Sequence, residues 1–463
     1  MVGWRHWAAA LILLLAGALR IIGAEGYPLW TDEGWSVWAA GGDWLAITAN
    51  DRHPPLYFAL LAVWRDIGGE SRLALRFLSI AAGLVTVAAV YRISADMRGQ
   101  RAGLIAALGM AALPMAVYYS QEIRHYGLLT LCTALSWLAL LRLLARPSRW
   151  RWLAYALTVC GLVYTLYFGV FILMAQGAAL MLSRRRLWAL SAWLAASISY
   201  LPWLIVMLTQ QAGFLAFGIG ANPGTLRLPE NLWEAASLLF GGIALIGAAA
   251  WGAGMRDLAR RPARWSALIG GVGLPVGLIA LGWLTPLLAP RVLIMLVPML
   301  MVAIGAGLRK MPLWFSAVWV GLMLIAPSPV IQPRLPIDGA AAVLAEAYQP
   351  GDGVILETGW DDNAAAYEIR RLIGVDAAVV RMLAYLPQRP DVPPPPMPTA
   401  AEIVAPFERV WVVHWLTAPH VRSYLDAGLD GWTRISAAEV SALPYGAAFG
   451  APSIYIGLYV RET

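Results

Sequence analysis

Two carboxylates, Asp32 and Glu33, stand side by side in Leu29-Trp30-Thr31-Asp32-Glu33-Gly34-Trp35-Ser36, just after the first apolar segment. A carboxylate there can serve as general base towards an acceptor hydroxyl or amine, or as a ligand to a divalent cation. The competing reading is a helix start, with Thr31 as N-cap and two acids facing the positive end of the dipole. That explains one acid well and leaves two acids between Trp30 and Trp35 at a membrane mouth less well explained. A second cluster, Arg52-His53-Pro54-Pro55-Leu56-Tyr57, offers His53 and Tyr57 ahead of an apolar stretch. Its prolines suit the first turn of a helix, so His53 is either a cap or a site residue. A third, Tyr118-Tyr119-Ser120-Gln121-Glu122-Ile123-Arg124-His125-Tyr126, is dense in donors and acceptors. Glu122 and Arg124 there make either a local ion pair, worth little if exposed, or an acid beside a guanidinium fork that fits a phosphate. Arg291, in Ala289-Pro290-Arg291, is either an interfacial anchor or a partner for an anion. Gln210, Gln211, Asn222 and Arg227 belong to a long loop able to close over a substrate.

The elements that must position these residues are membrane helices. Of 463 residues, 60% are hydrophobic and only 13% charged, with a mean hydropathy of +0.65; soluble domains are about 25% charged. The 23 tryptophans suit interfacial belts. Apolar runs fall near 7–23, 73–94, 102–120, 126–145, 151–166, 168–183, 187–208, 232–251, 265–285, 291–308 and 312–329, about eleven spans of roughly 17–25 residues. The start, with Arg5, His6 and Ala16-Gly17-Ala18, has the features of a signal peptide, but the many later spans favour an uncleaved first helix. Residues 55–67 are apolar yet too short to span, and read as an interfacial helix.

Arginine placement fixes the phase. Arg92, Arg98 and Arg101, then Arg146, Arg149 and Arg151, then Arg184-Arg185-Arg186, then Arg256, Arg260, Arg261 and Arg264, then Arg309-Lys310 mark alternate connections. The positive-inside rule then puts the N-terminus in the cytoplasm and residues 24–72 in one long outer loop. Asp32, Glu33, His53, Glu122, Arg124, His125 and Arg291 are all expected on the extracytoplasmic side. Uncompensated charge at a membrane is costly and usually functional. Cys132 and Cys160 lie in apolar segments and read as small buried hydrophobes.

Residues 1–331 thus read as a transmembrane domain and 332–463 as a small extracytoplasmic α/β domain. In the latter, residues 338–348 and 363–372 read as helices, and 354–356, 409–414 and 453–460 as strands. The run 390–398 is a proline-rich loop. No motif for a nucleotide, haem, flavin or structural zinc is present, and no nucleic-acid partner is expected. A divalent cation (Mg, Mn or Zn) is the one candidate cofactor, with Asp32, Glu122 and His53 as its candidate ligands.

These motifs together resemble the integral-membrane glycosyltransferases of the GT-C class. The carriers are the outer-loop Asp-Glu after the first span, the His-Pro-Pro-Leu-Tyr start, the Tyr-Tyr-Ser-Gln-Glu-x-Arg-x-Tyr loop and an arginine before a late helix containing Pro298. The sequence is most similar to the protein O-mannosyltransferase-like and lipid A aminoarabinose-transferase-like enzymes of bacteria, over roughly residues 1–310 and most strongly over 20–130. The resemblance implies an all-α polytopic bundle that transfers a sugar from a polyprenyl-phosphate donor to a protein, lipid or glycan outside a prokaryotic plasma membrane. It further implies Asp32 as catalytic base of an inverting transfer, Glu33 beside it for acceptor or metal, Glu122 as second acid, and Arg124 and Arg291 on the donor phosphate. His53, Tyr57, His125 and Tyr126 complete the expected substrate-binding set. The Gln121-Glu122 pair departs from relatives that place an Asp in this loop. A lipid or polysaccharide transporter is the alternative, and would need charge lining the middle of the bundle. An assembly factor with a sensor domain is a third reading, supported by the terminal domain alone.

Overall fold

The computed structural model describes residues 4–211, 232–241, 243–259, 268–278, 290–325, 336–358, 362–374, 376–382, 396, 398–415, 429–440 and 454–462. Asn222, Arg227, most of the proline-rich run and parts of the expected spans at 265–285 and 312–329 lie outside these residues. The chain divides into two compact units, residues 1–24 with 43–331 and residues 25–42 with 332–463. The stretch 24–72, read from sequence as one outer loop, is therefore shared between them.

The first eleven helices are α1 (Trp4–Ile21), α2 (Thr31–Gly41), α3 (Trp44–Ala49), α4 (Leu56–Gly68), α5 (Arg72–Arg98), α6 (Gln100–Ala112), α7 (Pro114–Ser120), α8 (Tyr126–Ala145), α9 (Arg149–Thr165), α10 (Gly169–Met181) and α11 (Arg186–Thr209). All but α2 belong to the first unit. Among the described residues four helices are long and apolar enough to cross a bilayer, or six if each of two bent pairs makes one crossing. Four shorter apolar helices accompany them. The run expected as one straight span over 102–120 is instead α6 and α7, bent by 61°. Pro114 is the cause, because it cannot donate to the carbonyl four residues back.

Helices Ala244–Leu258 and Val297–Leu308 pack backbone to backbone. A Cβ on Gly254 would stand 1.8 Å from the Ala303 carbonyl, and one on Gly307 would stand 2.1 Å from that of Ala250. Small residues four apart on both helices permit this approach, as membrane helix pairs commonly require. At one end of the bundle Asp257 joins Arg98 (2.8 Å) and Arg309 (3.1 Å), and Asp96 joins Arg142 (3.2 Å). The basic helix ends that the sequence grouped by phase thus meet in space. On α11, Leu194, Ile198, Leu201, Ile205 and Leu208 are exposed, as a lipid-facing helix requires.

The second unit is built on a five-stranded sheet of order β2-β1-β3-β5-β4, with β1 (Gly353–Glu357), β2 (Ala378–Arg381), β3 (Arg409–Trp415), β4 (Trp432–Val440) and β5 (Ile454–Arg461). Strands β2, β1 and β3 run parallel, and β5 and β4 add on antiparallel. The unbroken apolar run of β1 is buried throughout, the pattern of a strand covered on both faces. Ile355, Val410, Val412, Met382, Ile403 and Val404 form the core. Strands β2 and β4 escaped the sequence reading: one has four residues and the other is largely exposed, so neither carries a clean alternation.

Candidate active site

The loop bearing Glu122, Arg124 and His125 is fixed by a reciprocal clasp with α1. Arg20, buried at 0% exposure, donates to the Met110 carbonyl (3.1 Å), the Ala111 carbonyl (2.9 Å), the Ala16 carbonyl (3.1 Å) and Ser120 Oγ (3.2 Å). The first two carbonyls sit at the break that Pro114 makes, so a guanidinium supplies donors the broken helix lacks. In return Gln121 Nε2 donates to the carbonyls of Leu19 (3.3 Å), Arg20 (3.1 Å) and Ile22 (3.1 Å), closing the end of α1. Sequence reasoning passed over Arg20, because an arginine near a span's end reads as a snorkelling anchor.

His53 is held from both ring nitrogens. Its Nδ1 lies 2.6 Å from Asp51 Oδ2 and its Nε2 lies 3.3 Å from Arg124 Nη2. A guanidinium only donates, so Nε2 accepts and Nδ1 carries the proton that it donates to Asp51. Asp51, absent from the sequence's candidates, thereby selects the tautomer that lets His53 hold Arg124. Burial pushes the Asp51 carboxyl up, but the hydrogen bond from His53 and the charge of Arg124 outweigh it and hold the group below the ordinary carboxylate range. The His125 ring stacks obliquely on His53 at 4.9 Å and meets Tyr126 edge-on at 4.5 Å. Burial drives His125 far below the usual histidine range, and the positive charges of Arg124 and Arg291 push the same way. His125 is therefore neutral at physiological pH.

Glu122, Arg124 and His125 are all buried, and the charges of Glu122 and Arg291 both act on Tyr119. The structure thus brings His53, Glu122, Arg124, His125, Tyr126 and Arg291 into one neighbourhood of the first unit. Tyr57 is wholly buried; its hydroxyl lies 3.4 Å from Ser79 Oγ, which donates to the Arg124 carbonyl at 3.3 Å. Its visible work is to brace the loop.

Asp32 and Glu33 lie in the second unit, in the first turn of α2. The N-cap is Trp30, one residue earlier than the sequence suggested. Glu33 is completely buried, and its Oε2 accepts from the Trp30 N–H at 3.5 Å, a weak reach-back from the N3 position. This contact is the one that the helix-start reading expects of an acid at that position. Asp32 is half-exposed in the same turn.

Of the three expected metal ligands, His53 has both ring nitrogens already engaged. With Nδ1 engaged by Asp51 and Nε2 facing a guanidinium, His53 has no lone pair placed for a cation. Among the described residues no group of three or more His, Cys, Asp or Glu side chains is gathered to hold one.

Residues 52–211 match the dolichyl-phosphate-mannose-protein mannosyltransferase family. The matched stretch contains His53, Tyr57, Glu122, Arg124, His125 and Tyr126, and leaves Asp32, Glu33 and Arg291 outside it. No curated protein matches the sequence. Among solved structures the chain is similar to ArnT from Cupriavidus metallidurans in the apo state, with a TM-score of 0.67 at 15% identity over 98% of both chains. It is also similar to the same protein bound to undecaprenyl phosphate, with a TM-score of 0.65 at 13% identity over 98% of both chains. A third likeness is to the archaeal oligosaccharyltransferase AglB from Archaeoglobus fulgidus, in complex with an inhibitory peptide and a dolichol-phosphate. There the TM-score is 0.56 at 13% identity, over 96% of this chain and 74% of that one. The resemblance carried by the sequence motifs holds in three dimensions: the chain has the fold of the GT-C class of integral-membrane glycosyltransferases.

Proposed function

We propose that the protein transfers a sugar from a polyprenyl-phosphate donor to an acceptor at the extracytoplasmic face of a prokaryotic plasma membrane, with its N-terminus in the cytoplasm. The observation that carries this reading is the cluster of buried Arg124, buried neutral His125 and half-buried Arg291 at one end of an apolar bundle. Such a cluster suits a phosphate, because charge-assisted bonds from guanidinium to phosphate are strong. Similar folds have been solved with undecaprenyl phosphate and dolichol-phosphate, which supports a lipid-phosphate donor here.

The chemistry is an inverting displacement. The acceptor oxygen or nitrogen attacks the anomeric carbon from the face opposite the phosphate, and Asp32 takes the acceptor's proton. The bond from the anomeric carbon to the phosphate oxygen breaks, and the electron pair leaves with the polyprenyl phosphate. Arg124 and Arg291 stabilise the charge growing on that leaving group. Glu122 is the second acid.

The test offers purified protein in nanodiscs a panel of polyprenyl-phosphate sugars, wild type beside Asp32→Asn. Release of polyprenyl phosphate by the wild type alone supports the transferase and names its sugar. No release, together with movement of the lipid across a liposome bilayer, supports the transporter instead.

A further inference from the structure

The second unit contains a helix from the far end of the sequence, and that helix carries Asp32. We propose that the C-terminal α/β unit is the mount that positions the Asp32 carboxylate for transfer, through three grips on α2 by elements after residue 350. This rests on Asp32 being the base.

The first grip precedes the helix. The backbone N–H of Leu29 donates to Glu368 Oε1 at 3.0 Å. Leu29 and Glu368 are both at 0% exposure, so this charge-assisted bond is shielded from competing water. The other carboxylate oxygen, Glu368 Oε2, lies 3.1 Å from Arg371 Nε, which fixes the rotamer. The second grip is at the first turn. A Cβ on Gly34 would lie 2.3 Å from the backbone nitrogen of Ala364 and 2.5 Å from its Cα. Only glycine permits this approach, and because the obstacle is backbone, no rotamer change relieves it. The third grip is one turn on, where the Arg381 guanidinium of β2 sits over the Trp38 ring at 5.1 Å, a cation–π contact.

Helix Asp362–Ile373 supplies the first two grips and is itself tied to the sheet. Asp362 Oδ1 accepts from the Thr358 N–H and hydroxyl, both at 2.8 Å, just after β1. The path from β1 to Asp32 is thus continuous: strand end, the helix tied to it by Asp362, buried glutamate and α2. An eleven-residue helix with this composition is marginal alone in water, so its hold on the α/β unit decides where Asp32 stands.

Two readouts on the full-length protein in nanodiscs test the proposal. In amide hydrogen exchange, residues 31–41 are expected to be protected like residues 362–373 in the wild type. Gly34→Ala and Glu368→Ala are expected to lose that protection at 31–41, with residues 118–126 unchanged. Glu368→Gln keeps an acceptor for Leu29 and is expected to retain it. In turnover with whichever panel donor the wild type uses, Gly34→Ala and Glu368→Ala should lower kcat by about 10- to 100-fold, the cost of an ångström-scale displacement. Donor KM should move less than about twofold, since the phosphate contacts lie on other residues, and Glu368→Gln should stay near wild type. Fast exchange of 31–41 in the wild type, or unchanged exchange and kcat in both disrupting variants, overturns the mount. Full activity of Asp32→Asn with the exchange pattern as expected overturns the catalytic reading and leaves the mechanical one standing.

Discussion

The two regions that carry the candidate chemistry are held in opposite ways. The His53–Arg124–His125 cluster is braced from several helices of one apolar bundle, by Asp51, Ser79 and the clasp of Arg20 with Gln121. Helix α2 is small, and its grips come from residues more than three hundred positions away. The first arrangement suits the proposed phosphate-binding group; the second ties the proposed base to the C-terminal unit. Breaking one should change binding, and breaking the other should change turnover.

The largest effect is expected from Asp32→Asn: transfer falls by about 10²–10⁴-fold, the range of a general base, while polyprenyl phosphate binding, measured by ligand-induced stabilisation, is unchanged. Arg124→Ala should do the converse, weakening donor binding by roughly 10- to 100-fold, the value of a lost charge-assisted hydrogen bond. Arg124→Lys should recover only part of it, because the fork is lost. Asp51→Asn sharpens the comparison further. It removes the charge that selects the His53 tautomer and should raise donor KM by roughly threefold to tenfold, as loss of an outer hydrogen-bond partner does, with Asp32 chemistry intact.

Arg20→Leu tests the scaffold. It strands the carbonyls of Met110 and Ala111, at a cost of about 1–3 kcal/mol for each group left unsatisfied, and should lower the thermal midpoint and raise donor KM together. The smallest effect is with pH. Unfolded His125 takes up a proton below about pH 6.5, which the folded site refuses because burial and neighbouring cations hold its pKa down. The unfolded state then binds more protons, so stability falls as pH drops through that value. Asp51, held low by His53 and Arg124, adds a further loss below about pH 4. Thermal unfolding between pH 8 and 5 should show the first limb, and His125→Asn should flatten it.

Much of this site was legible beforehand. His53, Glu122, Arg124, His125 and Arg291 stood out because charge beside apolar runs is unusual, and helix phase predicted a common end for them. Glu33 was harder: its burial and its bond to the Trp30 N–H belong to a helix start, which from sequence is a real competitor that explains one acid but is outweighed by a functional role for the pair. Asp51 was missed beside the conspicuous Arg52-His53-Pro54-Pro55 run, and Arg20 because its partners, Met110 and Ala111, become visible only once α6 breaks.

The sequence by itself determined the membrane class, the alternation of basic helix ends and the positions of the polar clusters, since these follow from the cost of charge in lipid and from local periodicity. Tertiary structure alone decided that residues 25–42 join the C-terminal α/β unit. Periodicity is a property of neighbours in the chain, whereas the grips on Leu29, Gly34 and Trp38 come from side chains and backbone that only folding brings to them.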